Sequence, residues 1–192
     1  MQEVPEDMAR RLRETAETFG TSFDDMTMEA IVEATGIPRG TLYYHFRSRE
    51  QVLAFLLSAT LRDIAEAVER AASEDAPAVE RLVGVVRAQL ETMAAHPATT
   101  QILVANLGRA GKLPDISAGV DRAFRVPVQQ LLAEGAADHT FKSVDPELTA
   151  TAIFGAVTVV GFNALMRDDG DLDVDKVLDG LVELWGGIEA KP

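Results

Sequence analysis

The stretch from Thr27 to Phe46, TMEAIVEATGIPRGTLYYHF, gathers the side chains of this chain best suited to chemistry with a polyanion. Apolar Ile31 and Val32, then Gly36, then Ile37 and Leu42 predict two short helices joined by a glycine turn, the helix-turn-helix layout. If Ile31, Ile37 and Leu42 lock that helix pair, Arg39, Gly40, Thr41, Tyr43, Tyr44 and His45 project from the second helix and its end. Those residue types suit the groove of a duplex. Arginine pairs bidentately with guanine or holds a phosphate, threonine offers a hydroxyl and a methyl, and glycine lets the backbone come close. Tyrosine and histidine donate to phosphate oxygens while their rings pack, although the same aromatics could instead form a seam within the protein, as Phe46 is expected to.

Charge first argues against such a partner. The 192 residues carry 18 basic and 31 acidic side chains, a net charge of −13, and phosphate binding is the work of lysine and arginine. The local distribution reverses that sum. From Gly36 to Arg49 there are three arginines (Arg39, Arg47, Arg49) and no carboxylate, so the remainder carries −13 minus 3, or −16. An acidic body with a basic tip repels DNA everywhere except at the tip and so favours one docking orientation.

Apolar residues recur at three and four positions almost throughout, so an all-α fold is expected, with an N-terminal three-helix head and a C-terminal helical body. Helices are predicted from Pro5 to Phe19, from Met28 to Thr35 after the cap Thr27, and from Pro38 to about Tyr44, with Gly36 as the stop between the last two. Ser48-Arg49-Glu50-Gln51 reads as a capping box opening a long helix to about Ala72, taken as the link between the two halves. Further helices are expected at Ala78 to Ala95, Ala98 to Ala110, Ile116 to Ala137 with Pro127 as a kink or restart, Asp145 to Met166, and Val174 to Ile188. The head is placed at residues 1–48 and the body at 49–192.

At this point the sequence resembles a known family. GIPRGTLYYHFRSREQVL is similar to the recognition helix and following helix start of the TetR (tetracycline-repressor) family of bacterial transcriptional regulators, and the motif match spans about residues 8 to 57. The resemblance implies an all-helical homodimer with a DNA-binding head from the first three helices, a divergent ligand-binding body and dimer contacts through the last two long helices, and the leading expectation is a repressor that a small-molecule effector releases from a palindromic DNA operator. It matches Thr27 and Met28 to positions near the phosphate backbone, and Arg39, Gly40, Thr41 and Tyr43 to major-groove contacts. Tyr44, His45 and Arg49 match the phosphate clamp. The sequence departs from the family at Pro38, where a serine or threonine cap is usual, at Val32, and in the short stretch from Phe19 to Phe23.

In the body, Ala152 to Leu165 is apolar nearly all round, with glycines at 155 and 161, so a helix there needs cover on more than one side. A second subunit is the expected cover, through helices near 145–166 and 174–188. Met93, His96, Leu103, Phe124, Phe154 and Thr158 could line a mostly apolar effector pocket, though each residue of this kind is more often plain core. No metal, cofactor or catalytic role is expected. There is no cysteine, His96 stands alone, and the aspartates from Asp168 to Asp175 lack a calcium loop's glycine and glutamate, leaving Asp173 as a helix cap. Gly108 to Lys112 is too short for a phosphate loop, and no nucleophile motif occurs. The acidic start and the interrupted apolar run predict a cytoplasmic protein with no membrane partner. A second reading keeps the fold as a small-molecule binding protein without useful DNA affinity.

Overall fold

The structure, a computed structural model, describes residues 4–16, 26–105, 114–142, 144–167 and 171–186. The stretch from Phe19 to Phe23, the segment Gly108 to Lys112, Asp168, Asp169 and Ile188 lie outside the described residues. The protein is all-α: α1 (Glu6–Ala16), α2 (Met28–Thr35), α3 (Arg39–His45), α4 (Arg49–Ala72), α5 (Ala78–Ala95), α6 (Pro97–Ala105) and α7 (Pro114–Val120) come first. A π-helical turn (Asp121–Arg125) then leads into α8 (Val126–Ala137), followed by α9 (Pro146–Arg167) and α10 (Val174–Trp185).

Caps explain most of these boundaries. Thr27 accepts the Ala30 N–H at 3.0 Å and opens α2, and Gly36, at φ +64°, closes it by donating its N–H to the Val32 carbonyl. Asp145 accepts from Glu147 and Leu148 at the head of α9, and Asp173 accepts from Lys176 at the head of α10, the capping role expected of it. The box at Ser48 forms with its bonds displaced. Gln51 Oε1 accepts the Arg47 N–H at 2.7 Å, one residue before Ser48, while the Ser48 hydroxyl holds the Glu50 carboxylate.

Pro127 marks a restart, since α8 begins one residue before it, but the disturbance falls earlier in the chain. Proline has no N–H to give to the carbonyl four residues back, and its ring crowds that carbonyl. The preceding turn widens instead, and the Val126 N–H bonds to Asp121, five residues back.

The chain divides into two compact units. The first comprises Met1–Thr60 and Ala98–Ser117, and the second Leu61–Pro97 and Ala118–Pro192. α4 is therefore one of three places where the chain passes from one unit to the other. In the first unit Met8, Leu12, Met28, Ile31, Ile37, Leu42 and Phe46 are buried, with Phe46 tilted against Phe55 at 5.5 Å. In the second, α5 packs against α8, α9 and α10 around Val85, Leu90, Phe124, Leu132, Ile153 and Leu165. The pair Arg81–Glu134 ties α5 to α8, and Arg87–Asp175 ties α5 to α10, each at 2.7 Å. α9 is long and apolar enough to cross a membrane by length and composition, beyond the run read from Ala152 to Leu165. It nevertheless buries Ala150, Ile153, Val157, Thr158, Gly161 and Leu165 within the protein.

Candidate nucleic-acid interface

The geometry of the α2–α3 pair follows from a few local bonds. Gly36 takes a left-handed conformation that a side chain would strain, and the Thr35 hydroxyl braces the turn. That hydroxyl donates to the Ile31 carbonyl at 2.6 Å and accepts from the Ile37 N–H at 3.2 Å. Pro38 stands at the N-cap of α3 without a side-chain cap, and its carbonyl accepts the Leu42 N–H. Ile31, Ile37 and Leu42 are 1%, 3% and 0% exposed, so the expected lock is in place.

With that face buried, the helix period turns Arg39, Gly40, Thr41, Tyr43 and Tyr44 to solvent. Tyr44 is the most open of the aromatics at 68% exposure, and its ring meets His45 edge-on at 5.1 Å. A Cβ at Gly40 would touch nothing among the described residues, so the backbone there presents a flat approach. His45 is half-buried, with a buried Nδ1 that has no hydrogen-bond partner among the described residues. Thr27 is exposed, whereas the Met28 side chain is buried, which leaves only its main chain at the start of α2 for the phosphate contact expected of it. Arg49 is half-buried and pairs with Glu50 at 3.3 Å. The Glu50 carboxyl is held below its ordinary range, first by the Ser48 hydroxyl and also by Arg49.

One residue of this surface escaped the sequence reading. Glu29, on α2, lies 3.1 Å from Arg39 and 3.4 Å from the Tyr43 hydroxyl, and the Arg39 guanidinium sits over the Tyr43 ring at 5.3 Å. The available signal was the acidic residue ten positions before Arg39, on the opposite side of a turn that folds the two helices together.

The body candidates separate. Phe124 and Phe154 meet at 5.7 Å, and Thr158 is buried and accepts from Gln89 at 3.2 Å. Gln89 is 5% exposed, its Oε1 has no partner among the described residues, and it was not among the expected residues despite being a polar side chain on the apolar stripe of α5. Met93 is buried in the same core, and Gly161 approaches it closely. His96 is the C-cap residue of α5, with its side chain 42% exposed and 3.8 Å from Asp63. Leu103, on α6, is half-buried and belongs to the first unit rather than with the other five.

Known proteins share this arrangement. Residues 12–55 match the bacterial regulatory proteins of the tetR family, and residues 75–186 match the tetracyclin repressor-like C-terminal domain. The transcriptional repressor KstR2 of Mycolicibacterium smegmatis is 26% identical over 159 residues, 79% of this chain and 76% of that protein. The fatty acid degradation regulator FadR from Bacillus halodurans superposes with a TM-score of 0.77 at 19% identity, covering 99% of this chain and 100% of that one. AibR, solved with isovaleryl coenzyme A and operator DNA, gives 0.72 at 20% identity over 92% of this chain and 96% of its own. With both segments matched, the chain belongs to the tetR family of bacterial regulatory proteins and is a helix-turn-helix transcriptional regulator.

Proposed function

We propose that this chain is a cytoplasmic homodimeric repressor that a small-molecule effector releases from a palindromic operator. The observation that carries the reading is the α3 face, where Arg39, Gly40, Thr41, Tyr43 and Tyr44 are exposed opposite a buried Leu42. Arg39, Thr41 and Tyr43 serve the bases and nearby backbone of the major groove. Thr27, the main chain of Met28, Tyr44, His45 and Arg49 hold phosphates. In this division residues 1–48 bind DNA, and residues 49–192 carry the effector site and the dimer contacts.

The dimer reading is supported by α9. Leu148, Ala152, Val159 and Met166 recur at helical spacing and are exposed, and Val182 and Leu184 on α10 are exposed as well. An apolar stripe of this kind on a soluble regulator fits a two-fold contact, in which each patch meets its own copy. A dimer also doubles the short stretch of bases that one recognition helix reads, with heads about 34–36 Å apart meeting successive major-groove turns.

For the effector, Phe124, Phe154, Thr158 and Gln89 supply aromatic faces and a buried amide oxygen lacking a donor. Acyl coenzyme A thioesters are the first class to test, given the isovaleryl coenzyme A held by AibR. An effector acts only by binding one head spacing better than another, and a tenfold loss of operator affinity needs about 1.4 kcal/mol of difference.

Selection from a random duplex library with purified protein tests the reading. Enrichment of a palindrome, with affinity falling steeply between 50 and 200 mM salt as about −0.9 per phosphate contact on a log–log plot, is expected. No enriched sequence at low salt would instead favour a small-molecule binding protein that has lost useful DNA affinity.

A further inference from the structure

A carboxylate stands in the middle of the recognition face, where a polyanion is to dock. Glu29 Oε1 accepts from Arg39 Nη2 at 3.1 Å and from the Tyr43 hydroxyl at 3.4 Å, and Tyr43 in turn lies under the Arg39 guanidinium at 5.3 Å. The three side chains hold one another, although Arg39 and Glu29 are 68% and 63% exposed. At that exposure an ion pair adds little to folding stability. Its consequence is for Arg39 itself. Arginine is long and flexible and fixing it costs rotamer entropy, so a guanidinium already held between a carboxylate and a ring meets a base with part of that cost met. Arginine also has five N–H donors, and one spent on Glu29 leaves enough to grip guanine O6 and N7. A tethered Arg39 is at the same time withheld from the phosphates, which an untethered one would seek on any sequence.

We infer that Glu29 is a positioning and specificity-determining residue, holding Arg39 in a guanine-reading pose and trading non-specific affinity for base discrimination. The inference rests on the proposed reading of Arg39 as a DNA contact. It makes Glu29 act through Arg39 and not through its own charge on the duplex. A carboxylate that merely repelled phosphate would lower affinity for all sequences alike, whether or not Arg39 were present.

The test uses full-length protein, the duplex selected by the wild type, and that duplex with each other base pair at the position where R39A relaxes choice. In E29A, discrimination at that position falls about threefold to fivefold, or up to about 1 kcal/mol, the most an exposed pair of this kind supplies. Affinity for unrelated duplex rises, and its salt slope steepens by about one phosphate contact. In the R39A background the same change leaves discrimination unmoved. E29Q, whose neutral oxygen holds Arg39 more weakly than the carboxylate does, lowers discrimination in the same direction by a smaller factor with the same rise in affinity for unrelated duplex, and replaces E29A in the test if that variant loses helix content. Discrimination that survives in E29A, or falls equally in the R39A background, overturns the inference alone, as does an R39A protein that discriminates like the wild type. Wild-type protein that selects no sequence overturns both the inference and the DNA reading beneath it.

Discussion

The two glycines of α9 make the dimer reading testable with one substitution at two sites. A Cβ added at Gly155 meets nothing within 4 Å among the described residues, whereas at Gly161 it would lie 2.9 Å from Leu90 Cδ2 and 3.0 Å from Met93 Cε. Leu90 and Met93 are 0% and 4% exposed, so a larger side chain at 161 has no room. Gly155→Leu therefore meets no obstacle at its Cβ and gains about 0.7 kcal/mol of helix propensity, so the protomer's stability is expected to stay near that of the wild type. Between two copies of α9 the same leucine occurs twice. At about 1–3 kcal/mol of overpacking each, association weakens by about 2–6 kcal/mol, a rise in dimer Kd of about 30-fold to 10⁴-fold. Gly161→Leu instead lowers the stability of the fold by about 1–3 kcal/mol, less the same propensity gain, and leaves the dimer contact alone. Sedimentation across a concentration series reads the first effect, and thermal unfolding by circular dichroism at matched concentration reads the second. A Gly155→Leu protein that dimerises like the wild type removes α9 from the interface. One that melts early without dissociating shows that position 155 faces the core after all.

Two further outcomes follow from local geometry. Gly135→Ala puts a Cβ onto the rigid ring of Phe141, overlapping Cδ2 and 2.7 Å from Cε2, so the ring must leave its buried site and the bond from the Phe141 N–H to the Gly135 carbonyl goes with it. Losing about 1.5–3 kcal/mol of burial and about 1 kcal/mol of hydrogen bond, against about 1 kcal/mol of propensity gained, lowers stability by about 1.5–3 kcal/mol. A denaturation midpoint equal to that of the wild type would contradict this. Ser48→Ala removes the largest cause of the depressed Glu50 carboxyl, so its titration by NMR moves up toward the ordinary value of 4.5. Because the folded value is the lower one, the stability it contributes is present above pH 4.5 and lost as pH falls through the folded value. The Ser48→Ala deficit is therefore largest near neutral pH and shrinks in acid, and an unmoved Glu50 titration would show the hydroxyl does not hold it.

What was legible in the sequence was what local chemistry decides. Thr27 and Gly36 bracket α2 at Met28–Thr35, and α5 occupies the expected Ala78–Ala95, because caps and breakers act within a few residues of themselves. The buried lock of Ile31, Ile37 and Leu42 was legible because helical spacing determines which residues share a face. Choices made at longer range were not. Nothing in the residues of Ala98–Ser117 tells which of two apolar cores they join, and the Pro127 disturbance moved into the turn before it, where no residue type announces a π turn. Among the body candidates, Phe124 and Phe154 meet, but the buried amide beside Thr158 comes from Gln89, a residue of another helix.

The charge count shows the same limit with a functional consequence. Counting from Gly36 to Arg49 gives +3, yet the fold brings Glu29 from before that window onto Arg39, and Glu50 from just beyond it onto Arg49. Two of the three cations that were to overrule a net charge of −13 thus hold carboxylates before any duplex arrives. In the proposed docking, phosphate attraction alone is then a weaker lure than the count implies, and binding would lean on contacts that only particular bases complete. A cation already satisfied by a carboxylate gains little from an arbitrary phosphate. It gains from guanine, whose two acceptors can be reached without giving up the carboxylate, and that difference is where an acidic protein of this kind can find its selectivity.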